Sequence, residues 1–223
     1  MYLFARRGRL TNGHLRESAA WAVSITEKVN QITELNVGLW ASVFSPGIGE
    51  LVWATFVTDI AILENADAKL MVDDGYVTLA DQGAAYSAGG LDDTLSLLVH
   101  GDIDPNRQVQ YVAVIDTILA AGKSVRGMEL GVEIAQRAQQ TTGIPTAFLA
   151  DTTGNYGGVR WITGYETVDS CRRRGRRSRR TPNSPSSSTR RSPACTKTAF
   201  RSRTSASLAV SSDSGPKLGS LGS

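Results

Sequence analysis

The sequence predicts an α+β protein made of two tandem β-α-β-β-α-β repeats that together form a barrel. The second repeat is expected to be incomplete and to be followed by a disordered basic tail. Three observations support this prediction. Strand-like alternation and helix-like apolar spacing take turns through residues 1–168. Two tryptophan-containing hairpins recur at a constant separation. Beyond Cys171 the hydrophobic pattern stops.

The first repeat begins with a short apolar run at residues 2–5, which predicts a strand. A helix follows, for which Thr11 or Asn12 can provide the N-cap because their side-chain oxygens accept from free backbone N–H groups. The apolar stripe of this helix has helical spacing and consists of Leu15, Ala22, Ile25, Val29 and Ile32.

The first repeat continues with a hairpin, in which the β-rich runs 37–44 and 50–57 are joined by a turn containing Pro46 and two glycines. A second helical stretch over 59–82, interrupted near Gly75, leads to a closing strand at 95–100. This β-α-β-β-α-β order is the ferredoxin-like unit.

The unit then starts again. A strand is predicted at 109–118, and a helix follows with Val125, Met128, Val132 and Ala135 on one face. The runs 146–152 and 159–165 form a second hairpin.

The two hairpins align without gaps at a separation of 108 residues. Trp40 aligns with Phe148, Gly49 with Gly157, and the Trp53-Ala54-Thr55 run with Trp161-Ile162-Thr163. Any two hairpins share alternation and a glycine turn, but a shared Trp-x-Thr and an identical element order favour a true duplication. The predicted domains are therefore 1–104, 105–168 and a tail over 169–223.

Two ferredoxin-like units in one chain resemble the dimeric α+β barrel superfamily, and NIPSNAP-like proteins in particular. The resemblance covers residues 1–168 and rests on element order, duplication and the tryptophan-containing hairpins. It implies a cleft between sheet and helices. Members of the superfamily include cofactor-free oxygenases, haem-handling enzymes and isomerases, so the resemblance implies no single reaction.

The tail differs sharply from the body in charge. Of the 24 Lys and Arg residues, 13 lie in 171–223 beside one acid, Asp213, so the tail carries about +12 and the body about −9. A frame error explains this segment, because a shifted reading of each Ser codon written TCN supplies T as the middle base, which always encodes an apolar residue. The shifted frame allows an amphipathic acidic helix in register with the first repeat.

The alternative interpretation is a natural basic tail that binds nucleic acid non-specifically. Under either interpretation residues 169–223 are expected to be disordered, since they bury little apolar surface. Loss of the last helix and strand would then leave a bare sheet edge in the second repeat. The fused chain needs no partner as a pseudo-dimer, whereas the shortened one could pair as a homo-oligomer through that edge.

Several functional classes are disfavoured by composition. Both cysteines, Cys171 and Cys195, lie in the tail, so the body offers no thiolate chemistry. No apolar stretch is long enough for a signal peptide or a bilayer span, so a cytoplasmic location is expected. With only two histidines, His14 and His100, we expect no metal site and no cofactor.

The candidate ligand-binding residues are Trp40, Trp53, Trp161 and His14. The tryptophans could line an aromatic pocket for a small apolar or aromatic ligand, although core packing also explains them. His14 could act as a general base, although a solvent-facing residue at a helix end also explains it. Arg6, Arg7 and Arg9 are interpreted as a solvated rim, and the Asp92-Asp93 pair as part of a turn.

Two functions remain open for the body. One is a small-molecule-binding barrel without a clear catalytic site. The other is a cofactor-free oxygenase or isomerase that acts on a small aromatic substrate. The enzyme requires a polar side chain inside the cleft, and it fails if Thr55 and Thr163 are the only ones there.

Overall fold

The computed structural model describes residues 1–11, 13–43, 49–104, 107 and 109–167, and the backbone of 196–202. Eight strands and four helices follow one another in the order β1 (Tyr2–Arg9), α1 (Leu15–Thr33), β2 (Gly38–Val43), β3 (Glu50–Val57), α2 (Ala61–Leu70), α3 (Asp74–Gly83), β4 (Asp92–His100), β5 (Tyr111–Ile118), α4 (Ser124–Thr142), β6 (Thr146–Asp151), β7 (Gly158–Tyr165) and β8 (Thr196–Ser202). Within the described residues, no helix has the length and apolar character that crossing a membrane requires.

The strands form one closed antiparallel barrel in the order β1-β3-β2-β8-β5-β7-β6-β4. Each repeat contributes four neighbouring strands, β4-β1-β3-β2 from the first and β8-β5-β7-β6 from the second. The two orders are equivalent, which confirms the predicted α+β architecture of two ferredoxin-like units. The repeats meet at two seams, where β4 pairs with β6 and β2 pairs with β8.

Strand β8 changes one expectation about the second repeat. Residues 196–202 were predicted to be disordered, yet they form a strand whose backbone pairs with both β2 and β5. The predicted bare edge is therefore covered, because β8 takes the position that β4 has in the first repeat. The second repeat remains shorter in helices, since α4 is the only helix after β5 in the part of the chain that the structure describes. The rest of the predicted tail lies outside the described residues.

The predicted helix over 59–82 is two helices. The chain leaves α2 at Met71, and Asp73 starts α3 by accepting a hydrogen bond from the Tyr76 backbone N–H at 2.8 Å. This cap and the Lys28 ammonium, 3.0 Å away, both stabilise the charged carboxylate and lower the pKa of Asp73. The break precedes Gly75 because the aspartate, and not the glycine, begins the new helix.

The N-terminus of α1 also differs from prediction. His14 occupies the N-cap position, and its side chain makes no capping hydrogen bond. Thr11 instead turns to the end of the first repeat, where its backbone N–H donates to the Tyr86 carbonyl at 2.9 Å. Asn12 lies outside the described residues.

The strands bury side chains on two sides. On the outer face, α1 packs on Leu39 and Leu51 through Ala22, and α4 packs on Phe148 and Val159 through Ala135. On the inner face, apolar residues of both repeats meet inside the barrel, where Ala5 and Val52 pack with Val114 and where Leu3 packs with Ala147 and Leu149. The barrel therefore has an interior shared by the two repeats and separate from the helix-covered layers.

We predict that Ala199→Pro lowers the thermal stability of the protein, because proline removes a donor from a strand paired on both sides. The matched control is Ala206→Pro, which places the same residue beyond β8. Thermal unfolding of both variants tests this prediction. Equal melting temperatures for the two variants would contradict the placement of β8 in the barrel.

We predict that Gly131→Ala destabilises the protein by about 1–3 kcal/mol, because a β-carbon there would overlap the Phe148 ring. Alanine normally stabilises an exposed helical position relative to glycine, so the sign itself is informative. Gln136→Ala, at an exposed position of the same helix, serves as the control and should change the free energy of unfolding by less than about 0.5 kcal/mol. Urea unfolding measures both variants; an unchanged or higher stability for Gly131→Ala would contradict the packing of α4.

Candidate functional site

One end of the barrel interior is charged. The inward positions of β5 change from Val112 and Val114 to Asp116, and those of β7 change from Ile162 to Arg160. The strand register places Asp116 directly opposite Arg160. Strands β1, β4 and β6 add inward polar residues at the same end. The set comprises Arg7, Ser96, Asp116, Asp151 and Arg160, and is called the Arg160 cluster below.

Arg160 is the centre of this cluster. Its side chain is only 5% exposed, and its Nη2 donates to Asp151 Oδ1 at 2.8 Å. The Ser96 hydroxyl donates to the same carboxylate oxygen at 2.7 Å. Removing a guanidinium from water is costly, so this carboxylate is what permits Arg160 to lie inside the barrel.

The second carboxylate, Asp116, is held less closely. Its Oδ1 lies 3.5 Å from Arg160 Nε, and its Oδ2 lies 3.5 Å from Arg7 Nη2. Neither approach is a hydrogen bond by geometry, and Arg7 Nε, Asp116 Oδ1 and Arg160 Nε are buried polar atoms that lack hydrogen-bond partners. Buried polar groups are nearly always paired, so these three atoms have hydrogen-bonding capacity that no described residue satisfies.

A small open pocket adjoins the cluster at Arg7. Its volume is about 260 Å³, and it is lined by Arg7, Gly8, Arg9, Glu50, Gly90 and Asp92. Because Arg7 both lines the pocket and faces Asp116, it connects solvent to the buried charges. Arg7, Val52 and Trp40 lie side by side across β1, β3 and β2 in the sheet register.

The structure separates the three candidate tryptophans. Trp40 faces the barrel interior beside Ala5 and Val114. Trp53 and Trp161 lie on the outer face under the helices, where their indole N–H groups donate to Thr26 Oγ1 at 2.9 Å and to the Gly131 carbonyl at 2.8 Å. Those two rings anchor the helices to the sheet, so the three tryptophans line no common pocket. That Trp53 and Trp161 bind a ligand stays a prediction.

His14 is exposed at the start of α1. It lies in neither the Arg160 cluster nor the lining of the pocket. A ligand-binding role for His14 likewise stays a prediction.

The hairpin alignment needs a correction of one residue. Leu39 pairs with Trp53, whereas Phe148 pairs with Trp161. Leu39 and Phe148 are therefore equivalent, and Trp40 matches the next residue, Leu149. The first hairpin is one residue longer, and a shift of one residue moves a side chain to the opposite face of a strand. For this reason Trp40 points into the barrel while Phe148 points toward α4.

The polar side chains inside the barrel were largely missed from the sequence. The sequence predicts that Arg7 lies on a solvated rim. No sequence pattern identifies Asp116, Asp151 or Arg160 as candidate site residues. Thr55 and Thr163 lie on the outward side of β3 and β7, beneath the helices, which is where the cleft was predicted. The Arg160 cluster lies inside the barrel instead. One sequence feature could have identified them: Asp116 and Arg160 are charged residues at inward positions of strands whose other inward residues are apolar.

The exposed outer pair Arg6–Asp93 contrasts with the cluster. Arg6 Nε and Nη2 donate to the two carboxylate oxygens at 2.8 Å each, a bidentate arrangement that raises the pKa of Arg6. Its side chains are 38% and 45% exposed, so solvent screens the attraction. The barrel end therefore carries an exposed ion pair on its outer face. Inside, it carries one hydrogen-bonded pair, Arg160–Asp151, and three polar atoms without partners.

Comparison with solved structures places the fold among small barrel proteins. A proposed monooxygenase from Fusobacterium nucleatum superposes with a TM-score of 0.64 at 10% identity, covering 90% of this chain and 91% of that chain. An anthrone oxidase-like protein superposes with a TM-score of 0.56 at 8% identity, covering 90% of each chain. At these identities the likeness shows the fold alone.

The structural neighbours also include NIPSNAP proteins. An uncharacterized NIPSNAP domain protein from Burkholderia xenovorans has a TM-score of 0.40 at 17% identity, covering 48% of this chain and 100% of that chain. No protein-family model matches the sequence, and no curated protein matches it.

We predict that Asp151→Ala destabilises the protein by about 3–5 kcal/mol, because it leaves the Arg160 guanidinium buried without its main partner. The exposed control, Asp93→Ala, should change the free energy of unfolding by no more than about 1 kcal/mol. Replacing both buried partners, Arg160→Met with Asp151→Leu, should recover most of the loss. Chemical unfolding measures all three, and equal effects for Asp151→Ala and Asp93→Ala would contradict the buried charge pair.

Proposed function

We propose that this protein binds a small organic molecule at the charged end of its barrel. The observation that supports the proposal is the group of three buried polar atoms without partners, Arg7 Nε, Asp116 Oδ1 and Arg160 Nε, beside a pocket that opens to solvent at Arg7. Their unused hydrogen-bonding capacity suits a ligand that brings both an acceptor and a donor.

The chemistry of the cluster favours an uncharged polar group on the ligand. The cluster contains two guanidinium groups, from Arg7 and Arg160, and two carboxylates, from Asp116 and Asp151. Their formal charges cancel, so a net charge on the ligand finds no complementary excess. A carbonyl oxygen can accept from an arginine N–H, and an adjacent hydroxyl can donate to Asp116.

The barrel interior next to the cluster is apolar, which favours a hydrophobic body on the same ligand. Trp40 packs with Ala5, Val52 and Val114 inside the barrel. An aromatic ring beside these side chains would gain dispersion and ring contacts. We therefore propose an aromatic ligand with a neighbouring carbonyl and hydroxyl, and Trp40 as the retained member of the predicted aromatic pocket.

The second candidate function is a cofactor-free oxygenase or isomerase that acts on a small aromatic substrate. The Asp116 carboxylate favours it, because a carboxylate without a bound proton donor can serve as a general base. The names of the fold neighbours, proposed monooxygenases and an anthrone oxidase-like protein, agree with such chemistry. Non-specific nucleic-acid binding by the tail, the frame error and a cytoplasmic location stay predictions.

We predict that 2-hydroxy-1-phenylethanone, whose carbonyl and hydroxyl are adjacent, binds the full chain more tightly than acetophenone, which lacks the hydroxyl. The expected difference is about tenfold, the effect of one hydrogen bond to a charged group. Isothermal titration calorimetry measures both affinities. Asp116→Ala should abolish most of this preference, because the hydroxyl donates to that carboxylate, whereas Arg126→Met, in an exposed ion-pair group on α4, should preserve it.

Binding of neither compound, equal affinities of the wild type for the two compounds, or an unchanged preference in Asp116→Ala would contradict the proposed site.

A further inference from the structure

We propose that Asp116 is a catalytic base and that the protein catalyses the isomerisation of α-hydroxy ketones through an enediol. The inference rests on the proposed binding site and adds a reaction to it. It identifies the substrate by the two groups that the site can pair, a carbonyl and the hydroxyl on the next carbon. No oxidant, metal or organic cofactor takes part in the step.

Asp116 is the carboxylate of the cluster that can take a proton. Asp151 Oδ1 already accepts hydrogen bonds from the Ser96 hydroxyl and from Arg160 Nη2, so this carboxylate serves to hold Arg160 in place. Asp116 Oδ1 has no hydrogen-bond partner. The Asp116 side chain is 32% exposed while its Oδ1 is buried beside Arg160, so Oδ2, on the Arg7 side, is the oxygen that a substrate can reach.

The two arginines have different roles around this base. Arg160 Nε lies 3.5 Å from the buried Oδ1 and is fixed by its bond to Asp151, so Arg160 is a positioning residue for the Asp116 carboxylate. Arg7 Nη2 lies 3.5 Å from Oδ2, and its Nε has an unused N–H. Arg7 can therefore donate to a substrate carbonyl oxygen next to Asp116.

The proposed step balances without a further reactant. The Asp116 carboxylate removes a proton from the carbon that carries the hydroxyl. The electron pair of the broken C–H bond forms a C=C bond, and the carbonyl π pair moves to the oxygen, where the Arg7 guanidinium stabilises the negative charge. The proton on Asp116 then returns to the former carbonyl carbon, and proton exchange between the two oxygens yields the isomeric hydroxy aldehyde.

Two features of the fold support a chemical rather than a purely structural role for Asp116. A structural ion pair of this kind is normally completed by direct hydrogen bonds, as Arg160 and Asp151 are. The two Asp116 oxygens lie 3.5 Å from Arg7 Nη2 and from Arg160 Nε, which is too far for the hydrogen bonds of a completed ion pair. Asp116 belongs to the second repeat and Arg7 to the first, so these two side chains face each other only in the closed barrel.

The test is deuterium incorporation into 2-hydroxy-1-phenylethanone in D₂O, followed by proton NMR of its CH₂ group, with the buffer-catalysed rate subtracted. The wild-type full chain should accelerate exchange. Asp116→Asn should bind the ketone within about tenfold of wild type by calorimetry but lose at least about 100-fold of the exchange rate. Asp93→Asn, on the outer face, should exchange at the wild-type rate.

Asp116→Glu is the second variant, since it keeps the charge but moves the carboxylate. It should slow exchange at least about tenfold while its melting temperature stays close to that of the wild type. Binding by the wild type without accelerated exchange would overturn the catalytic role and leave the binding site standing. Wild-type exchange rates in Asp116→Asn or Asp116→Glu would overturn the role of Asp116. Failure of the wild type to bind the ketone would overturn both proposals.

Discussion

Closure of the barrel is the constraint on which the rest of the structure depends. Antiparallel pairing at the β4–β6 and β2–β8 seams turns two four-stranded sheets into one ring, so the inner faces of both repeats share a single interior. Arg7 from the first repeat then faces Asp116 from the second, and Ser96 from the first donates to Asp151 from the second. A sheet of one repeat alone would leave each of these groups to solvent, where ion pairs contribute little.

The two repeats have equivalent tryptophans on the outer face of the barrel and different residues on its inner face. On the outer face, Trp53 and Trp161 occupy equivalent places and each donates its indole N–H to the helix above it. On the inner face, Arg160 takes the place of Val52, and Asp116 takes the place of Arg7. Packing against the helices explains the shared outer pattern, whereas the inner face differs between the repeats at these two positions. This asymmetry puts Arg160 and Asp116 of the second repeat at positions that Val52 and Arg7 occupy in the first.

Much of the fold could be predicted from the sequence because its signals are local. Alternation, helical spacing and the repeated Trp-x-Thr hairpin were enough to predict the element order and the duplication. An interruption was predicted near Gly75, but its position at Asp73 and the inward position of Trp40 could not be obtained in the same way. The position of the helix break depends on Asp73, and not Gly75, starting α3. The direction of Trp40 depends on the first hairpin being one residue longer than the second.

The candidate site was harder to predict for a different reason. Its members lie on strands that are far apart in sequence, from Arg7 to Arg160, and each looks like an isolated surface charge when only its own strand is considered. Only the register of the closed barrel shows that Asp116 lies opposite Arg160 and that Asp151 lies within reach of both Ser96 and Arg160. The position of β8 was equally hidden, since basic and serine-rich flanks surround it.

The most direct measurement of the central claim is a proton–nitrogen NMR spectrum of the arginine Nε–H groups in protein labelled at arginine. Arg7 and Arg160 lack Nε–H partners, so their signals, assigned by substitution to lysine, should shift when 2-hydroxy-1-phenylethanone is added. The signals of Arg6 and Arg126, which are engaged in ion pairs outside the barrel, should stay in place. Shifts confined to outer arginines, with Arg7 and Arg160 unchanged at saturation, would contradict a binding site inside the charged end of the barrel.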